Sequence, residues 1–363
     1  MWKKVLFVFA VCLLLQNGSY AMAALQAAPS VAKQNDAAEN KTAALSAGNP
    51  LQPVIEERTA RQKDKDAAVQ MKPVKEEKKR NTKRIFINLA SHSLAVYDGN
   101  QKINLYPVGL GKPATPTPTG YYSILEKIEN PEWVDPENPK VCVPSGEQNP
   151  LGYRWMQIYG NYGIHGTNKP ESVGGYFSNG CIRMKEADVE ALYTKVEVGT
   201  PVEITYNRVV VEKLPDHTIA YYVYPDSYGR QPLDIAAIQA WLTGYGVGDF
   251  ESDAAIAAKI EASDGQPTFV ARAYALQVNG KELQEKAVLK DDSWYLPAVP
   301  LAVSTNLALE WNSDMGLLSS PYGDAPGSAE RDTLYCSAEG AAVLYHLAGG
   351  LNAEGVYILN TAV

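Results

Sequence analysis

The chain has 363 residues, 45% of them hydrophobic and 20% charged. That balance excludes a chain disordered or membrane-embedded throughout, and the length suits two or three compact units. The formal net charge of −8 leaves no basic surplus to neutralise phosphates, which excludes nucleic acid as a main partner.

Lys3 and Lys4 precede an unbroken apolar run, Val5–Leu15, and Ala21-Met22-Ala23 has the small-x-small form of a cleavage site. The run is shorter than a spanning helix needs, so residues 1–23 read as a signal peptide, with an uncleaved N-terminal anchor as the alternative, and the protein as exported to the periplasm or cell wall. Cys12 falls inside this segment, leaving Cys142, Cys181 and Cys336 as the thiols of the mature chain. An odd number leaves at least one unpaired within the molecule. Cys142 and Cys336 either bridge or stay as two separate thiols. Residues 24–83 are rich in Ala, Gln, Lys, Glu and Pro and end in the mixed charge run Lys72–Arg80. Such a composition reads as a disordered, solvated linker.

Order is expected from Arg84. Ile85, Ile87 and Leu89 alternate with polar or outward residues, and Leu94–Tyr97, the Asp98-Gly99-Asn100 turn and Ile103–Leu105 form a hairpin pattern. A loop dense in Gly, Pro and Thr covers Gly109–Gly120, a strand is expected over Tyr121–Ile128, and Asn130–Pro150 reads as a long loop carrying Trp133. Val189, Leu192, Tyr193 and Val196 have helical spacing, and Val202–Ile204 reads as a closing strand. Further on, Val209–Val211 and Ile219–Val223 read as strands, and Asp234–Leu242 and Asp253–Ile260 as helices. From Phe269 a small separate domain is expected, with a strand and turn at Tyr274–Lys281.

The chemistry concentrates in His165-Gly166-Thr167 and Ser178-Asn179-Gly180-Cys181-Ile182-Arg183. A free thiol is only a few per cent thiolate at neutral pH, and a nearby imidazole raises its nucleophilicity by taking the proton. Cys181 is therefore the candidate nucleophile and His165 the candidate base. Gly180 lets backbone approach a substrate closely, and its amide with that of Cys181 is placed to face an oxyanion. Ser178 either orients the imidazole or holds the turn. Arg183 cannot act as a base, so it binds a substrate carboxylate or pins the loop. No second His or Cys stands at ligand spacing around His165, so no metal or other cofactor is expected. His92, His217 and His346 read as structural.

This framing resembles the signature of the L,D-transpeptidase catalytic domain of the YkuD type. The Asn149–Trp155 segment, Gly163-Ile164, Asp188-Val189 with Leu192-Tyr193, and Gly199–Val202 fit as well. The likeness spans residues 84–206. It implies a mainly β catalytic domain, sandwich- or barrel-like with short helices. Its cysteine would attack a tetrapeptide stem of peptidoglycan, expel D-alanine and form 3→3 cross-links. Cys181 and His165 would be catalytic, with Gly180, Ser178, Gly166 and Arg183 orienting or stabilising. Trp133, Tyr153, Arg154 and Asn179 would line the cleft, and carbapenems would acylate Cys181. The family usually has histidine where Asn179 stands. With water as acceptor the same site would be an L,D-carboxypeptidase or endopeptidase; a catalytically silent wall-binding protein is the third reading.

The organisation expected is thus a signal peptide (1–23), linker (24–83), catalytic domain (84–206), unassigned connecting region (207–268) and small α+β C-terminal domain (269–363). The last resembles the N-terminal domain of copper amine oxidases found on wall-associated proteins, which implies wall binding. The sequence assigns no oligomeric state.

Overall fold

A computed structural model describes residues 82–135 and 138–362. The expected signal peptide, Cys12 and all but the last residues of the expected linker lie outside the described residues. What is described is mostly β-structure with few helices.

The first part opens with an antiparallel meander: β1 (Lys83–Asn88), β2 (Ser93–Asp98) and β3 (Gln101–Pro107). Next come β4 (Leu110–Gly111), β5 (Gly120–Ser123), β6 (Glu126–Glu129), the short β7 (Trp133–Val134) and β8 (Cys142–Val143), and β9 (Arg154–Tyr159). Then follow β10 (Tyr162–His165), β11 (Tyr176–Ser178), β12 (Ile182–Arg183), α1 (Glu186–Lys195) and β13 (Pro201–Thr205). One sheet has the order β3-β2-β1-β13-β5, with β1 and β13 parallel; a second has the order β12-β10-β9-β6. A single apolar cluster draws on both sheets and on α1, through Ile85, Ile87, Val202 and Ile204, then Met156, Ile164 and Ile182, then Val189 and Leu192.

The single strand expected over Tyr121–Ile128 is two. Ile124 donates its N–H to Thr200 O and Leu125 to Gln157 O, so the chain changes sheet at this corner, where Ile124 is fully buried. β5 then pairs with β13, and β6 with β9.

The second part is a large, mainly antiparallel sheet. Its strands are β14 (Val209–Lys213), β15 (Thr218–Val223), β16 (Thr268–Val278), β17 (Lys281–Lys290), β18 (Ser293–Pro297), β19 (Glu310–Asn312), β20 (Leu317–Ser320), β21 (Gly323–Glu330), β22 (Thr333–Cys336), β23 (Leu347–Leu351) and β24 (Val356–Thr361). Between β15 and β16 lie α2 (Ile235–Gly244) and α3 (Asp253–Ala262), each started by a side chain that takes an orphan amide: Asp234 from Ala237, Ser252 from Ala255. Two further helices, α4 (Ala298–Thr305) and α5 (Ala338–Tyr345), complete it. The boundary expected at 269 falls inside this sheet. β15 pairs with β16 through Thr218↔Arg272 and Tyr221↔Thr268, so residues on either side of the boundary share one ladder. Cys142 is exposed, Cys336 is buried, and both are free, so no bridge joins them.

Candidate active site

β10 and β12 are parallel neighbours with Ile164 opposite Ile182 and His165 opposite Arg183. Side chains alternate across a strand. Ile164 and Ile182 therefore enter the core, while His165 and Arg183 share the other face. Cys181 lies two positions before Arg183, at the end of the turn leaving β11. The register thus brings the turn that carries Cys181 to the end of the strand pair that carries His165.

The turn itself is held by Ser178. Its Oγ donates to Cys181 O at 2.6 Å and accepts the Gly180 N–H at 3.1 Å. Gly180 has φ +117°, and a Cβ there would overlap the Tyr162 ring, so both conformation and space demand glycine. Its amide is taken by Ser178, which leaves the Cys181 amide as the oxyanion donor of that expected pair. Gly180→Ala is expected to cost about 2 kcal/mol and to slow alkylation of Cys181. A denaturation midpoint and a thiol-labelling rate both matching wild type would contradict this.

Cys181 is half-buried, and its Sγ donates to Asn161 O at 3.6 Å. Burial pushes the thiol up, while the backbone at Gly163 and the charge on Arg183 pull it down. His165 is buried, and desolvation lowers its pKa to about 4, helped by the Arg183 charge and opposed by its bond to Gly166. Its Nδ1 lies 2.6 Å from Gly166 O. A carbonyl can only accept, so Nδ1 carries the proton and Nε2 keeps a lone pair. At rest Cys181 is thus a neutral thiol and His165 a neutral imidazole, the latter in the tautomer that leaves Nε2 able to accept. Trp155 stacks along the imidazole with centroids 5.6 Å apart.

Arg183 is fixed by its backbone, which exchanges two 2.8 Å hydrogen bonds with Gly109. Its side-chain Nε is buried and has no hydrogen-bond partner among the described residues. Asn179 is exposed at the tip of the turn, its Oδ1 3.4 Å from Thr115 Oγ1. Trp133 sits opposite Val143 in the β7–β8 pair, outside the strands carrying His165 and Arg183.

Arg154 faces away from His165. It precedes Trp155 by one residue and so falls on the other face of β9, where its guanidinium meets Glu190 at 3.5 Å and lies over the Tyr193 ring of α1. Trp155, opposite His165 in register, occupies the face that was expected of Arg154. Glu186, which the sequence shows only as an acidic residue suited to a helix start, holds the segment after His165. From the first turn of α1 its carboxylate accepts the Thr167 N–H at 2.7 Å and the Tyr153 N–H at 3.1 Å. Gly166 backs directly onto that carboxylate, where a Cβ would overlap it. Tyr153 and Thr167 are thereby joined through one carboxylate, and the segment after His165 is locked. Glu186→Ala should cost about 2–3 kcal/mol through two lost charge-assisted hydrogen bonds. Urea titration checks this, and a loss under about 0.5 kcal/mol would refute it.

The profile of the YkuD family, described as the L,D-transpeptidase catalytic domain, matches residues 82–204. YqjB of Bacillus subtilis (strain 168), named as an L,D-transpeptidase, is 38% identical over 136 residues, covering 36% of this chain and 75% of YqjB. YcfS of Escherichia coli (strain K12), also so named, is 32% identical over 149 residues, covering 36% of this chain and 47% of YcfS. Among solved structures, L,D-transpeptidase 3 of Mycobacterium tuberculosis with a faropenem-derived adduct is 18% identical at a TM-score of 0.30, covering 34% of this chain and 60% of that one. The chain thus spans three quarters of YqjB but only about half of YcfS.

Proposed function

The chain belongs to the L,D-transpeptidase family, and from that premise we propose that it forms 3→3 cross-links in peptidoglycan, using Cys181 as nucleophile and His165 as base. Nε2 takes the thiol proton as Sγ bonds to the carbonyl carbon of the third stem residue. The oxyanion that develops is met by the Cys181 amide and the field of Arg183. On collapse the C–N bond breaks, the imidazolium gives its proton to the amine, and D-alanine leaves. A side-chain amine of a neighbouring diaminopimelate then attacks the thioester, His165 takes its proton, and the thiol is regenerated. Atoms and charges balance without a cofactor.

The observation that carries this reading is the neutral imidazole with its proton fixed on Nδ1 by Gly166 O, on the strand face beside Arg183 and two positions along from Cys181. The positive charge of Arg183 on that face suits a substrate carboxylate. We place the reaction outside the cytoplasmic membrane, on the strength of the Lys3–Ala23 pattern. The same thiol would open the strained lactam of a carbapenem, Sγ bonding to the carbonyl and the ring nitrogen taking the proton.

Mass spectrometry of muropeptides after incubation of the purified protein with tetrapeptide monomers tests this. A dimer lacking one D-alanine is the expected product. Tripeptide without dimer would assign water as the acceptor. No product from folded protein, together with no carbapenem adduct on Cys181, would overturn the enzyme reading.

A further inference from the structure

The region after residue 206 reaches the nucleophile. β4 lies beside β11 with Gly111 opposite Ser178, and Lys112 donates its N–H to Ser178 O at 2.9 Å. Gly111 packs so closely that a Cβ on it would come within 2.9 Å of Gly180 Cα and 2.6 Å of Thr117 N. The loop from Gly111 to Thr117, closed by the Gly111 N–H on Thr117 Oγ1 at 3.0 Å, is therefore one wall of the Ser178–Cys181 turn.

That wall is fastened from outside the segment matched by the family. Tyr228 Oη donates to Gly111 O at 2.6 Å and accepts the Thr117 N–H at 3.4 Å, so one hydroxyl holds both ends of the loop. The ring lies 5.0 Å from Tyr176, in the strand that runs into Ser178, and stacks on Tyr206 at 5.2 Å. Tyr228 is itself preset. Its N–H donates to Tyr206 Oη at 3.0 Å, Tyr206 Oη donates to Asp226 at 2.8 Å, and Asp226 also accepts the amides of Arg230 and Gln231. Arg208 then ties this turn to the second sheet through Tyr224 O, Gln231 O and Ser263 Oγ, each at 2.8 Å.

We propose that Tyr228 is a positioning residue for Cys181: its hydroxyl clamps the Gly111–Thr117 loop against the nucleophile turn, which makes the region after residue 206 part of the active site. The clamp touches no substrate. It acts by fixing where Gly180 and Cys181 sit, and small displacements of a nucleophile cost rate steeply. The inference rests on the transpeptidase reading for its kinetic arm only.

The test is Tyr228→Phe, which keeps the ring contacts and removes the hydroxyl. The full chain is used, with Cys142→Ser in the background because that thiol is exposed. Tyr335→Phe serves as a control, since it deletes a comparable part-buried bond, from β22 to Asp249 at 2.8 Å, remote in the chain from the nucleophile turn. In Tyr228→Phe, kcat for D-alanine release should fall about tenfold with KM within about twofold. Tyr335→Phe should keep wild-type kcat at a similar shift in melting temperature. Iodoacetamide alkylation of Cys181 between pH 5 and 9 is the second arm, and it should slow at least about threefold in Tyr228→Phe alone. Wild-type turnover in Tyr228→Phe overturns the proposal, as does a loss matched by Tyr335→Phe. If the unmutated chain itself releases no D-alanine, the transpeptidase reading fails, and the alkylation arm then decides the clamp: an unchanged rate overturns it.

Discussion

Cys181→Ala lowers D-alanine release by at least about 10³-fold and abolishes any carbapenem adduct in the intact mass, because no other described thiol can take its place. Cys336 is buried and pushed up to about 12, so it stays protonated, and Cys142 lies in the separate β7–β8 pair. The fold should survive. The Sγ of Cys181 has weak contacts with the backbone, at Asn161 O (3.6 Å) and at Gly163, while the turn is held by Ser178 instead. The cost should stay below about 1 kcal/mol. Substantial turnover in a variant shown by mass to lack the thiol would remove Cys181 from the mechanism.

The second large effect belongs to His165. His165→Gln retains a donor for Gly166 O, but its amide oxygen is far too weak a base to take the thiol proton, so acylation should fall by roughly 10²- to 10⁴-fold. The depressed pKa shapes two pH profiles. Wild-type acylation should hold on the acid side down to near pH 4–5, because the imidazole stays neutral there, where an ordinary histidine would already lose half its activity at 6.5. Stability follows the same group. Below pH 6.5 the unfolded chain binds a proton that folded His165 refuses until about pH 4. Its contribution is therefore complete above 6.5 and is lost as pH falls through that window. Between pH 7 and pH 5 this amounts to about 2 kcal/mol, and His165→Gln should abolish that part of the slope. Urea midpoints of the two proteins at both pH values measure it. Parallel slopes would mean that the imidazole is not held neutral by burial.

The candidate nucleophile and candidate base are legible in the sequence because their chemistry is written in contiguous residue types: a thiol after glycine, an imidazole before glycine, a serine two positions ahead of that first glycine. The helix at Val189 and the hairpin at Asp98-Gly99-Asn100 are legible for the same reason, since both are local patterns. What escaped depends on partners distant in the chain. Arg154 and Trp155 differ by one place, and only the register of β9 against β10 says which of them faces His165. Glu186 reads as an ordinary acidic residue at a helix start, and only the fold shows its carboxylate turned to Thr167 and Tyr153. The break at Ile124 and the continuity across residue 269 are likewise matters of which strand lies alongside.

The lateral pairing of β1 with β13 sets a schedule for the whole first part. Ile85 lies against Val202 and Ile87 against Ile204, so the middle of that sheet cannot zip up until nearly every intervening residue has been made and delivered. Long-range parallel pairing of this kind is slow, since loop closure must precede any reward in contacts. A ribosome releases the chain from its N-terminal end, so Cys181 emerges before its surroundings can be completed. An unfinished molecule therefore carries a reactive sulfur without the means to direct it. Oxidation or mispairing of that sulfur during maturation is the hazard this topology imposes.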